Sequence, residues 1–257
     1  MKKTIQRVLA AVILFAMILS GGFSEVGKVH AEKQQGTTKR AIYVVFDNSG
    51  SMYGDGNKAW SQATYAMEVF AAMMNYESGD VMKVFPMHDI TTDGNTGSAT
   101  KSSMEIRGKD DIAQIHNMYT PKPGGTPYTQ VNNAAGELTK LLNAGSVDEG
   151  WLVVLTDGDF DNDIPASGLK ADLEGKAAAN ENLYVQYLAI GTDVKNIPEG
   201  NADKGLYAQK AGNTSEVVNE LAEISNRIFK RNEYAGYSSE DSGLEFDIPL
   251  RKLIVFA

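Results

Sequence analysis

Four apolar runs of strand length constrain the fold most: Ile42–Phe46, Val81–Phe85, Trp151–Leu155 and Leu183–Ile190. All are rich in Val, Ile, Leu and aromatics, and none alternates cleanly between apolar and polar residues. A strand with one wet face alternates; a strand buried on both faces does not. Between the runs lie helical periods. Ala63, Ala66, Met67, Phe70 and Met74 recur at three and four, as do Val131, Ala135, Leu138 and Leu142. A third series, Val217, Leu221, Ile224 and Ile228, follows Asn213 with Glu216 three residues on, which is the pattern of a helix cap. The Met67/Met74 stripe reads as core filling, because thioethers pack adaptably. Such alternation predicts an α/β fold with a doubly wound, mostly parallel sheet and helices on both faces. Residues 87–108, rich in Gly, Ser and Thr, read as a loop with one short edge strand at Met104-Glu105-Ile106.

The ends of the chain read differently. Lys2, Lys3 and Arg7 precede the apolar run Val8–Leu19, and Val29-His30-Ala31 offers small residues at cleavage spacing. The run is shorter than the ~20 residues that cross a bilayer. The expectation is a signal peptide over 1–31, cut after Ala31; an uncleaved anchor stretching to Phe23 is the alternative. Either way the remainder is expected outside the cytoplasm, secreted or at the cell surface. Residues 32–39 read as a linker, 40–231 as the domain, and 232–257 as a second linker and the start of a further β element that continues in a longer parent or packs on the domain. Association with a membrane would come only through an uncleaved signal or a C-terminal continuation.

The chain has no cysteine, so disulfides, thiolate metal sites and thiol catalysis are excluded. Its formal charge is −9; removing residues 1–31 takes away four basic residues and one acidic one, leaving 20 against 32 and a net of −12. Such a surface repels nucleic acid and anionic lipid and attracts cations, although it also simply keeps an exported protein soluble.

In an open parallel sheet, ligands bind beyond the carboxyl ends of the strands, where strand order reverses. Three segments are expected at that edge. Asp47, Ser49 and Ser51 leave the first strand; Gly124-Gly125-Thr126-Pro127 starts the Val131 helix; and Thr156-Asp157-Gly158 leaves the strand at 151–155. Alternate residues of an extended chain point one way, so Asp47, Ser49 and Ser51 can share a side. With Thr126 and Asp157 they make a set of hard oxygen ligands that suits Mg²⁺, Mn²⁺ or Ca²⁺ and not Zn²⁺. Two carboxylates and neutral hydroxyls leave a divalent ion electrophilic, open to an anionic oxygen from outside.

The pattern Asp47-x-Ser49-x-Ser51, Thr126 and Thr156-Asp157-Gly158, in that order, resembles the metal-ion-dependent adhesion site of von Willebrand factor type A domains. The likeness runs from Arg40 to about Arg231 and is nearest to secreted or surface-anchored bacterial members. It implies a Rossmann-like fold with Ser49 and Ser51 as direct metal ligands, and Thr126 as one in the ligand-competent state. Asp47 and Asp157 would act largely through water or hydrogen bonds, and an Asp or Glu of a protein partner would complete the metal shell.

Each segment alone has a plainer reading. Residues 47–52 form a good turn, Thr126-Pro127 a good helix start, and Asp157-Gly158 a turn dipeptide. Their coincidence at one edge favours the metal. Asp157-Gly-Asp159-Phe-Asp161-Asn-Asp163 starts like a calcium loop but has Asn162 where Gly is needed and Gly168 where Glu is needed, so it reads as an acidic rim. Gly54-Asp55-Gly56-Asn57-Lys58-Ala59 matches a dinucleotide fingerprint but stands too far beyond Phe46 for the tight turn that motif requires. Ser98-x-x-Lys101 lacks the companion elements of a serine enzyme. His88 and His116 have no partner at ligand spacing and read as ordinary surface or loop histidines.

The sequence therefore predicts a metal-dependent protein-binding module and not an enzyme, since nothing assembles a nucleophile, base and oxyanion site. Tyr53, Asp55, Phe160 and Asp161 are the expected rim that sets partner choice. The alternative is a structural or signalling ectodomain, in which the metal site orders loops and the helix at 213–230 relays state.

Overall fold

A computed structural model describes residues 38–88, 103–115, 125–158, 160, 166–191, 194 and 197–229, all within the unit that begins at Thr38. The expected signal peptide, most of the first linker, the tail from residue 230, Ser98, Lys101, His116, Asp159, Asp161 and Asp163 lie outside the described residues.

Strands β1 (Arg40–Phe46), β2 (Val81–Pro86), β3 (Met104–Ile106), β4 (Glu149–Thr156), β5 (Leu183–Ile190) and β6 (Leu206–Ala211) form one sheet in the order β3-β2-β1-β4-β5-β6. All pairs are parallel except β2 with β3, where Lys83 stands opposite Glu105 on an antiparallel edge. The helices are α1 (Gly54–Met73), the single turn α2 (Lys109–Ile112), α3 (Thr129–Asn143), α4 (Ala166–Ala177) and α5 (Thr214–Phe229).

The lack of alternation in the strand sequences has its reason in two cores. In β1, Ile42, Val44 and Phe46 enter a core with Ala66, Met67 and Phe70 of α1 and Leu221, Ile224 and Ile228 of α5. Ala41, Tyr43 and Val45 enter the opposite core with Val131 and Leu138 of α3 and Leu169 and Leu173 of α4. Every residue of β4 is buried. Burying each such large apolar side chain contributes ~1.5–3 kcal/mol relative to exposure, which is why helices must cover both faces.

The cap expected on the last helix is present. Asn213 Oδ1 accepts the Glu216 N–H at 3.0 Å, and the Glu216 carboxylate accepts from Asn213 Nδ2 and the Gly212 N–H, both at 2.6 Å. Elsewhere boundaries shift. α1 starts at Gly54, nine residues before the first periodic residue. α3 starts at Thr129, not at Thr126-Pro127, and its N-cap Tyr128 makes no side-chain cap bond. Tyr128 is buried and its hydroxyl donates to Asp172 Oδ2 at 2.6 Å; that anchor sets the helix start and leaves Thr126 out of the capping position.

The strand order reverses at β1. Its successor β2 lies on one side and β4 on the other. The crevice between the carboxyl ends of β1 and β4 is the switch point at which open α/β sheets bind ligands.

Candidate metal centre

The exits of β1 and β4 are joined at the backbone: the Asp47 N–H donates to the Leu155 carbonyl at 2.8 Å. This register puts Asp47 beside Thr156 and Asp157, and a chain of short hydrogen bonds follows. The Thr156 hydroxyl donates to Asp47 Oδ2 at 2.8 Å, and the Ser49 N–H donates to Asp47 Oδ1 at 2.8 Å. The Ser49 and Ser51 hydroxyls lie 2.9 Å apart, and the Ser51 hydroxyl donates to Asp157 Oδ1 at 3.0 Å. Four of the five expected site residues are thus brought together. At the exit of β5, Gly191 takes a left-handed φ of 131°, and a Cβ there would stand 3.7 Å from the Asp157 Cβ, so the neighbouring strand passes close to the site.

Thr126 is buried in the loop before α3, and among the described residues no hydrogen bond joins it to the other four. Burial is graded across the set. Asp47 and Thr156 are inaccessible, Ser49 is nearly so, Asp157 is half-buried and Ser51 is exposed. The site therefore opens to solvent at Ser51.

The electrostatics of the cluster are dominated by its two carboxylates. Among the described residues neither Asp47 nor Asp157 enters an ion pair, although Asp47 is fully buried. Burial and then the charge of Asp47 push the Asp157 carboxyl up to about 6, against the downward pull of the Ser51 hydrogen bond. The Tyr53 phenol is raised as well, by burial first and by Asp47 second. Buried carboxylates are ordinarily paired or bound to a metal. Among the described residues no three His, Asp or Glu side chains cluster for a metal; the cluster here holds two carboxylates and hydroxyls. That set fits a hard divalent cation.

Two residues were not singled out from the sequence for this site. Thr156 entered only as the neighbour of Asp157, yet it is the side-chain donor that holds Asp47. Asn48 is fully buried, with Oδ1 accepting the His88 N–H at 2.8 Å and Nδ2 donating to the His88 carbonyl at 3.5 Å. His88, read as an ordinary histidine, meets the Gly125 carbonyl through Nε2. No periodicity or motif marks these contacts, because they depend on strand register.

The rim residues differ in position. Tyr53 stacks on Trp60 with centroids 4.9 Å apart, and its hydroxyl is buried with no hydrogen-bond partner among the described residues. Phe160 stands edge-on to Tyr128 at 4.7 Å and is partly buried against the α3/α4 core. Asp55 belongs to the first turn of α1, with its side chain outside the described ones, and Asp161 is outside altogether. Gly54–Ala59 lies inside α1 behind the 3-10 turn Gly50–Tyr53, so it forms no tight strand-to-helix phosphate turn.

No protein-family model and no curated protein matches the chain. Solved structures do. The pilus adhesin SpaC of Lactobacillus rhamnosus GG is 17% identical with a TM-score of 0.50; the match covers 78% of this chain and 32% of SpaC, so the chain spans about a third of that protein. Manganese-loaded TRAP of Plasmodium vivax is 16% identical with a TM-score of 0.43, over 73% of each chain. The SpRpn10 VWA domain is 11% identical with a TM-score of 0.47, over 72% of this chain and 95% of that one. At these identities the likeness concerns the fold alone: an α/β, Rossmann-like, mostly parallel sheet with one antiparallel edge strand.

Proposed function

We propose that this chain is an extracytoplasmic, divalent-cation-dependent protein-binding module. The observation that carries the reading is the pair Asp47 and Asp157, buried or half-buried and free of ion pairs among the described residues: Asp47 accepts the Ser49 N–H, the Ser49 and Ser51 hydroxyls meet, and the Ser51 hydroxyl donates to Asp157. Ser49, Ser51 and Thr126 would hold Mg²⁺, Mn²⁺ or Ca²⁺ directly, while Asp47 and Asp157 would orient those hydroxyls and the metal's waters. The bound cation would supply a positive centre for one anionic oxygen, from an Asp or Glu of a protein partner. The opening at Ser51 is where that carboxylate would enter, past Tyr53, Asp55, Phe160 and Asp161. The fold shared with a pilus adhesin agrees with such a role, and the acidic surface disfavours nucleic acid. No helix among the described residues is long and apolar enough to cross a membrane.

Calorimetric titration of the chelator-treated chain with Mg²⁺, Mn²⁺ and Ca²⁺ to millimolar levels, beside Asp47→Ala, tests this. One-to-one binding lost in a folded Asp47→Ala variant is the expected result. Absence of binding by the wild type would sink the reading.

One observation favours a second reading, a signalling ectodomain. α1 begins directly behind the Ser51 turn and shares its core with α5. Ordering of that turn by metal would then alter amide exchange along α5, and unchanged exchange on metal addition would count against a relay.

A further inference from the structure

Asn48 stands between two site residues yet spends its amide on His88, just beyond the end of β2. Its Oδ1 takes the His88 N–H at 2.8 Å and its Nδ2 gives to the His88 carbonyl at 3.5 Å. One residue earlier, the Met87 N–H donates to the Phe46 carbonyl at 2.9 Å. The backbone of His88 is thus clamped to the exit of β1. From that fixed point the imidazole Nε2 reaches the carbonyl of Gly125, the residue before Thr126. At the other end of the same short segment, Tyr128 is anchored by its hydrogen bond to Asp172 and by the edge of Phe160. Thr126 sits between these two anchors.

We propose that His88 is a positioning residue of the site. Its Nε2–H donates to the Gly125 carbonyl and holds the Thr126 segment against the Asp47–Ser51 turn, while Asn48 fixes the backbone from which the ring projects. A carbonyl only accepts, so the ring nitrogen that meets it carries the proton. Thr126 has no hydrogen bond of its own to the other four residues among those described, so the ring does for the segment what Thr126 does not. Without it, residues 125–127 gain freedom that any ligand using Thr126 must remove again. The consequence for metal rests on the function proposed above; the brace itself does not.

Two measurements on the full chain test this, with His88→Ala, His88→Gln, Thr126→Ala and the His88→Ala/Thr126→Ala double variant. The first is amide exchange of residues 125–131 without metal. His88→Ala should speed exchange there several-fold, and His88→Gln, which keeps a side-chain N–H donor, should lie nearer the wild type. The second is Mn²⁺ affinity. His88→Ala should weaken it about five-fold, the worth of one hydrogen bond, and should add nothing in the Thr126→Ala background, because the ring acts through that segment. Unchanged exchange in His88→Ala overturns the brace. An equal loss of affinity with and without Thr126 overturns the route through Thr126. If the wild type binds no Mn²⁺, the metal reading fails while the exchange measurement still decides the role of His88.

Discussion

Thr156 donates its hydroxyl hydrogen to Asp47 across the seam between β1 and β4, at 2.8 Å, with both residues fully buried. A hydrogen bond to a buried carboxylate is worth more than one between neutral groups, because the charge has no water to turn to. Thr156→Val keeps the shape and removes the donor, and should destabilise the metal-free chain by ~2 kcal/mol. Thr156→Ser keeps the donor and gives up one methyl, at ~1 kcal/mol. Urea denaturation of the two variants checks the order; no loss in Thr156→Val would mean that the hydroxyl contributes nothing.

Asp157 gives the metal-free protein a pH dependence of definite sign. Its carboxyl lies at about 6 in the folded chain, above the ordinary 3.8, so the folded state holds its proton more tightly than the unfolded state. Its contribution to stability is fully present below 3.8 and is lost as pH rises through 6. Asp157→Asn keeps an oxygen to accept from Ser51 and cannot ionise. In chelator, this variant should be more stable than the wild type at pH 7, and the advantage should vanish near pH 4. Thermal melts at both pH values decide it, and a variant less stable at pH 7 would reverse the sign.

β1, β2, β4 and β5 were legible in the sequence because burial on both faces leaves continuous apolar runs. β6 was not: it is an edge strand whose central residues Tyr207, Ala208 and Gln209 stay partly exposed and Lys210 exposed, so LYAQKA carries no strand period. Nor was α4, which buries only one narrow line of residues, Leu169, Leu173 and Ala177, with Gly168 and Gly175 in its interior. Of the candidate set, Asp47, Ser49, Ser51 and Asp157 stand out in the sequence as polar residues beyond predicted strands. The bonds of Thr156 to Asp47 and of Asn48 to His88 were not, because they follow from the β1–β4 and β1–β2 registers and not from any spacing along the chain.

Tyr53 offers a substitution that separates stability from binding. Its hydroxyl is buried and has no partner among the described residues, while its ring stacks on Trp60, which in turn lies 5.6 Å from Phe46. Removing an unsatisfied buried hydroxyl restores no lost bond and relieves a desolvation cost. Tyr53→Phe should therefore leave metal-free stability unchanged or raise it by up to ~1 kcal/mol, as read by urea denaturation. A clear loss of stability would show that the hydroxyl has a partner after all.

The cap of α5 gives a local test of the helix that a signalling role would use. Asn213 and Glu216 exchange hydrogen bonds at 3.0 and 2.6 Å, and the Glu216 carboxylate also takes the Gly212 N–H. Asn213→Ala should cost ~1 kcal/mol of global stability, and amide exchange should quicken most over the first turn, residues 214–217.

Metal uptake at the proposed site and the proton on Asp157 should compete. At pH 6 about half of the metal-free molecules carry that proton, given the pKa of about 6, and a cation drawing on the carboxylate releases it. Mn²⁺ titrations at pH 6 in two buffers of different ionisation enthalpy should give different apparent heats, the difference corresponding to about half a proton released per metal bound. At pH 8, where Asp157 is already ionised, the buffer dependence should disappear, and affinity should be higher than at pH 6. Heats independent of buffer at pH 6 would mean that the metal binds without engaging Asp157, and would remove that residue from the proposed set.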